Sequence, residues 1–166
     1  MKRVMIVSAA VVLIGLALTV FAETNKPPSD SAVQFAQQTS DLLLATLFAA
    51  LIQEFDETTP ENVQQGIQSI SLVFDDKNPN MRLVGTFQPL RANDVPQDSF
   101  ENTALSRALT GAAYTAVERV EGDWYYRRSV PLSNFREECS MCHSNFPTIP
   151  NATDWVGALM LRVPIK

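Results

Sequence analysis

The sequence predicts an α+β domain: two helices, then a mostly antiparallel sheet with one further helix inserted among the strands. Three observations carry this. Residues Ser31 to Phe55 contain no Gly or Pro, and Val33, Ala36, Leu43, Leu44, Leu47, Leu51 and Ile52 recur at helical spacing. After Asn80 that period gives way to short β-rich runs. The run "AAYTAVERVEGDWYYRRSVPL" sets two such segments around "EGD", a hairpin signal. Helices grouped ahead of antiparallel strands define the class. A chain of 166 residues suffices for one such domain with its own core.

The elements follow in order. "MKRVMIVSAAVVLIGLALTVFAET" opens with Lys2 and Arg3 and then runs without charge for the 19 residues Val4 to Ala22. A basic start, an apolar run and a small residue at a cleavage point describe an export signal over residues 1–22. The same run reaches the lower edge of a membrane-spanning helix, so a retained N-terminal anchor is the alternative. Both place the remainder outside the cytoplasm, in the periplasm, with membrane contact only if the segment is kept. Residues 23–30, which include "NKPPSD", are a linker, and 31–166 form the single domain.

Within the domain, "DETTPEN" stops the first helix and restarts the chain. Thr58 and Glu61 form a capping box with Pro60 in the first turn. A second helix over about 60–74 then places Val63, Ile67, Ile70 and Phe74 on one stripe. "DDKNPN" is a turn, "MRLVGTF" a strand and "QPLRANDVPQDS" a loop. "SFENTALSRALTG" reads as a helix capped by Asp98 or Ser99 and stopped by Gly111. The hairpin follows, then a polar connection, and "WVGALMLRVPI" closes the chain as a strand.

Composition narrows the function. Apolar residues make up 46% and charged residues 19%, ordinary for a globular domain. The net charge is −5, and without Lys2 and Arg3 it is −7. Such a chain repels nucleic acid and anionic membrane surfaces.

Both cysteines and the only histidine fall in "ECSMCHSNFP", residues 138–147. A Cys139–Cys142 disulfide would close a very short loop and remove little unfolded-chain entropy. A thioredoxin-type dithiol belongs early in a domain, after a strand and at a helix start. A zinc site wants four ligands, and the chain has too few Cys and His. Cys-x-x-Cys-His is instead the spacing for covalent haem c. Two thiols three residues apart each add to one vinyl group, and His143 then lies under the iron as proximal ligand. The motif occurs once, so one haem is expected.

The sixth iron position separates functions. A filled one favours electron transfer, an open one gas binding. There is no second His. Beyond the export segment the methionines are Met81, Met141 and Met160, and Met141 lies inside the motif. Met81 and Met160 are the candidates, each with core packing as its competing role. Lys77 and Lys166 are remoter ones. Tyr125 and Tyr126 alternate along a strand, so one of them packs inward.

Three stretches in order resemble a known family, the PAS-like c-type haem domains. Members occur as free periplasmic proteins and as sensory regions of histidine kinases. "VGTFQPLRANDVPQDSFE" (84–101), "YYRRSVPLSNFREECSMCH" (125–143) and "VGALMLRVPI" (156–165) are similar to the family's segments. The resemblance implies a PAS-like antiparallel sheet with flanking helices, preceded by two N-terminal helices, with haem packed against the sheet. It also implies a distal cysteine in the second helix, at a position that falls at about Gly66 here. This chain departs from the pattern there, which leaves the sixth site open, water-filled or taken by Met81 or Met160. Arg91, in a Leu-Arg pair shared with the family, is a candidate partner for a haem propionate, because a guanidinium matches a carboxylate bidentately. Arg127 and Arg128 compete for that role.

The expected function is therefore a periplasmic monohaem c-type cytochrome that senses redox state or a small gas such as NO or CO. The alternative is a monohaem electron carrier with a Met sixth ligand and a redox partner protein. An enzyme acting on nitrogen oxides or peroxide would want a distal base or donor such as His; no second His is present, Asp, Glu or Arg could serve, and this reading ranks last. The N-terminal helices suggest a homodimer.

Overall fold

The computed structural model describes residues 26–54, 59, 61–62, 64–66, 68, 74, 80–86, 94–134, 149 and 151–166. Its elements are α1 (Asp30–Glu54), β1 (Met81–Gly85), α2 (Ser99–Ala108), β2 (Tyr114–Val120), β3 (Asp123–Asn134) and β4 (Asn151–Pro164). The strands form one antiparallel sheet in the order β1-β4-β3-β2. This is the α+β class expected, compatible with a PAS-like arrangement. Among the described residues no helix is long and apolar enough to cross a membrane.

Local chemistry explains the elements. α2 starts at Asp98, whose carboxylate accepts from the Glu101 amide at 2.9 Å. That satisfies one of the amides left open in the first turn. After α2 the chain turns at Gly111, where φ is +80°. A Cβ there would also stand 2.7 Å from the Trp155 ring, so the position needs glycine twice over. The hairpin turn is the pair Glu121–Gly122, with φ of 53° and 103°. Two positive φ values mark the turn whose twist matches the flanking strands. Arg119 Nε donates to the Gly122 carbonyl at 2.8 Å and braces it.

Strand register sorts the side chains onto two faces. Leu159, Leu161 and Val163 of β4 share one face with Tyr126, Val130 and Leu132 of β3 and with Met81 and Leu83 of β1. α1 covers this face with Ala36, Leu44 and Leu47, and Phe74 joins the cluster. Ala158 and Met160 lie on the other face beside Val84. α2 covers that side with Phe100, Ala104, Leu105 and Ala108, and the alanines let helix and sheet approach closely.

Several boundaries differ from expectation. Leu43 and Ile52 sit outside the buried stripe of α1, at 41% and 56% exposure, because α1 has one sheet face to cover: Leu43 lies at its margin and Ile52 away from it. Thr59 Oγ1 accepts from the Asn62 amide at 3.3 Å; the expected cap Thr58 lies outside the described residues. Residues 61–62, 64–66 and 68 are helical, whereas Phe74 stands in a bend, buried as expected. β1 ends at Gly85, two residues before the expected end. β4 begins at Asn151, four residues earlier than its apolar run, because two register shifts near Leu132–Asn134 let the polar segment 151–154 pair with β3. The export segment lies outside the described residues.

Candidate functional site

The Cys-x-x-Cys-His motif belongs to the connection between β3 and β4. β3 ends at Asn134, and β4 begins at Asn151 as its register partner. Asn134 is fully buried, and its Nδ2 donates to the Ile149 carbonyl at 3.3 Å. Asn151 Oδ1 accepts from the Thr153 amide at 3.1 Å and from its hydroxyl at 3.0 Å, which shapes the start of β4. The chain therefore leaves and re-enters the sheet at one point. Cys139, Cys142 and His143 fall between these anchors and lie outside the described residues, as do Arg91, Met141 and Lys77.

The described candidates are dispersed over the sheet. Met81 pairs with Leu161 and Met160 pairs with Arg82, so the two methionines point to opposite faces. A group lying on one face of the sheet can meet only one of them. Met160 is 4% exposed and packed with Phe100 and Ala104 beneath α2. Met81 is half-buried at the edge of the cluster under α1. Gly66 is buried in its helical segment. Lys166 follows β4 at the hairpin end, roughly 36 Å along β3 from Asn134 at about 3.3 Å per residue. Of the paired tyrosines, Tyr126 is the inward one. Burial raises its hydroxyl above the ordinary value; Arg128 opposes that rise, Asp41 adds to it, and a hydrogen bond with Thr115 opposes it.

Arg127 and Arg128 are both engaged. Arg128 pairs with Asp41 of α1. Arg127 is 6% exposed, and its Nη1 reaches Asp98 at 2.8 Å and Glu118 at 3.1 Å. Its guanidinium lies 4.1 Å over the Phe100 ring. Beside it, Glu101 is 4% exposed and takes both oxygens to Arg82 Nη1 at 2.7 Å. Glu101 also accepts from the Gln97 amide at 2.8 Å. Every buried charge here has a partner, the condition under which burial is tolerated. Burial alone would raise the Asp98 carboxyl. The Arg127 hydrogen bond, the Glu101 amide and the charges of Arg127 and Arg82 outweigh it and hold the group below its ordinary value.

This network was not visible in the sequence. Arg82, Asp98, Glu101 and Arg127 are separated along the chain and come together only when α2 lies on the sheet. Asp98 was legible as a helix cap and Arg127 as a candidate for a carboxylate, but neither Arg82 nor Glu101, nor the meeting of the four, was. The network walls a recess of about 120 Å³ with Phe100, Met160 and Arg162. Drug-sized ligands occupy roughly 300 Å³ or more, so this recess by itself does not hold a porphyrin. Among the described residues, no three His, Cys, Asp or Glu side chains gather as a metal site.

Compared with known proteins, the chain matches no family model and no curated protein.

Proposed function

We propose that the chain is an exported monohaem c-type protein on a PAS-like scaffold, and that it responds to redox state or to a small gas such as NO or CO. One observation carries the reading. The only two cysteines and the only histidine form one Cys-x-x-Cys-His unit, and the chain holding it is anchored at both ends on the rim of the sheet. The donor set suits the group, since two thiols can form the thioethers and one imidazole can hold the metal. Bound haem would supply an iron whose reduction or ligation is the signal.

The chain's own residues would do the rest. Cys139 and Cys142 would fix the porphyrin to the segment, and His143 would bind from one side. The recess beside Arg82, Glu101 and Arg127 is too small for the group, and Met81 stands at the edge of the packed cluster under α1. Arg127 and Arg128 already hold carboxylates, which leaves Arg91 as the candidate for a propionate. The family resemblance, in which the distal cysteine position is Gly66, supports an open sixth site.

An electron carrier is the second reading, and the half-buried thioether of Met81 is the observation in its favour. Met160, enclosed beneath α2, would have to leave its packing to serve. The test is the purified, exported chain. After denaturation and acidified organic solvent, the pigment is expected to stay with the polypeptide, and Cys139→Ser with Cys142→Ser to abolish retention. A ferrous spectrum that shifts on adding CO or NO is expected for the first reading. A six-coordinate spectrum indifferent to CO, changed by Met81→Ala, supports the second. Pigment that washes out, or none at all, overturns both.

A further inference from the structure

α1 is apolar on two opposite sides, and the sheet covers only one. Ala36, Ser40, Leu44 and Leu47 are buried. On the far side Phe35, Gln38, Leu42, Ala45, Ala49 and Ile52 are all exposed, with Phe35 at 71% and Leu42 at 70%. These six are spaced three, four, three, four and three residues apart, the seam of a two-helix coiled coil. From Ser31 to Gln53 the only charged residue is Asp41, and it is paired with Arg128 off the seam. Thr39 and Thr46 flank the seam and donate their hydroxyls inward to the Phe35 and Leu42 carbonyls, both at 2.9 Å. A solvated helix carries charged and polar residues on its outer side. This one does not.

We propose that the seam joins two copies of this chain, with the two α1 helices running antiparallel. The side-chain sizes favour that direction. Antiparallel pairing sets Leu42 against Ala45 of the second copy, Gln38 against Ala49 and Phe35 against Ile52. Large then faces small across the central layers, as interdigitated packing requires. Parallel pairing would stack Phe35 on Phe35 and leave gaps where Ala45 and Ala49 met their own copies. Charge permits a second copy: the six seam positions carry none, so the contact brings no like charges together although each exported chain is net −7. The area sets the strength. A helix of 25 residues is about 37 Å long and about 10–12 Å across. Two such strips cover roughly 740–890 Å² in plan, below the roughly 1,200 Å² of stable interfaces. The dimer is weak and depends on concentration. Nothing in this inference depends on the haem.

Sedimentation velocity on the exported chain, from about 1 to 200 μM, tests it. A reversible monomer–dimer equilibrium is expected. Leu42→Glu, at a position where α1 is open, should leave the far-ultraviolet spectrum unchanged and weaken association by about tenfold or more. A bismaleimide should link a Phe35→Cys copy to an Ile52→Cys copy, and not Phe35→Cys to itself. A chain that stays monomeric throughout overturns the proposal, whether a segment of its own covers the seam or the monomer floats with zwitterionic vesicles. So does a Leu42→Glu variant that dimerises normally. Self-linking of Phe35→Cys overturns the antiparallel arrangement.

Discussion

The two faces of the sheet are covered by helices, but with different materials. Under α1 the layer is almost all hydrocarbon: Ala36, Leu44 and Leu47 against Leu159, Leu161 and Val163. Under α2 the apolar residues Phe100, Ala104, Leu105 and Ala108 pack around Ala158 and Met160, while at the N-terminal end of the helix Glu101 and Arg127 are buried as ions. Burial of hydrocarbon is non-directional, so the first face resists damage in proportion to the volume lost. Burial of charge is specific, so the second face fails when a single partner is removed. Hydrocarbon holds α1 against the sheet. Paired charge sets where α2 begins.

Substitutions can break or sharpen that contrast. The largest effect is expected from Glu101→Ala, which leaves Arg82 and the Gln97 amide without their carboxylate and should cost about 3–5 kcal/mol in urea unfolding. A cost under about 1 kcal/mol would mean that apolar contacts alone seat α2. Next is Leu159→Ala on the α1 side. Leu159 is 1% exposed, and its removal should cost about 2–5 kcal/mol by loss of packing and a residual cavity.

A smaller effect, with a pH signature, belongs to Asp98. Asp98→Ala removes the cap of α2 and should cost about 1 kcal/mol. Asp98→Asn keeps a good cap but cannot titrate. The folded carboxyl lies below its ordinary value, so its contribution is complete above the unfolded value near 4 and fades as pH falls through the folded one. The difference between wild type and Asp98→Asn should therefore be larger at pH 7 than at pH 3, read from urea midpoints. An unchanged gap would remove the carboxylate from the network's energetics. The smallest effect is expected from Arg128→Ala. Its partner Asp41 has a side chain 56% exposed, so the loss should stay below about 1 kcal/mol and shrink in salt.

Much of the scaffold was legible because short-range chemistry dictates it. The β hairpin followed from two β-rich runs about Glu121–Gly122, and α2 from Asp98 followed by a helical run ending near Gly111. The start of β4 was not legible. "PNATD" has the composition of a loop, and Asn151 is in the sheet only because the register shifts bring it opposite Asn134. Phe74 was expected inside a helix for its spacing; it is buried, in a bend. The motif of Cys139, Cys142 and His143 was legible as a string because its chemistry depends on spacing within one turn. Its surroundings were not, since they depend on which segments the sheet brings near.

The order of residues determined by itself where the helices and the hairpin form, which positions are apolar, and that one sulfur pair and one imidazole stand together. Those properties arise within a few residues, through backbone preference and side-chain spacing. Tertiary structure decided that Met81 and Met160 lie on opposite sides of the sheet. It also decided that Arg127 and Glu101 share a buried cluster, and that among the described residues the sheet covers only one side of α1. Each depends on strand register and on which element packs where, and a one-residue change in register would send every side chain of a strand to the other face.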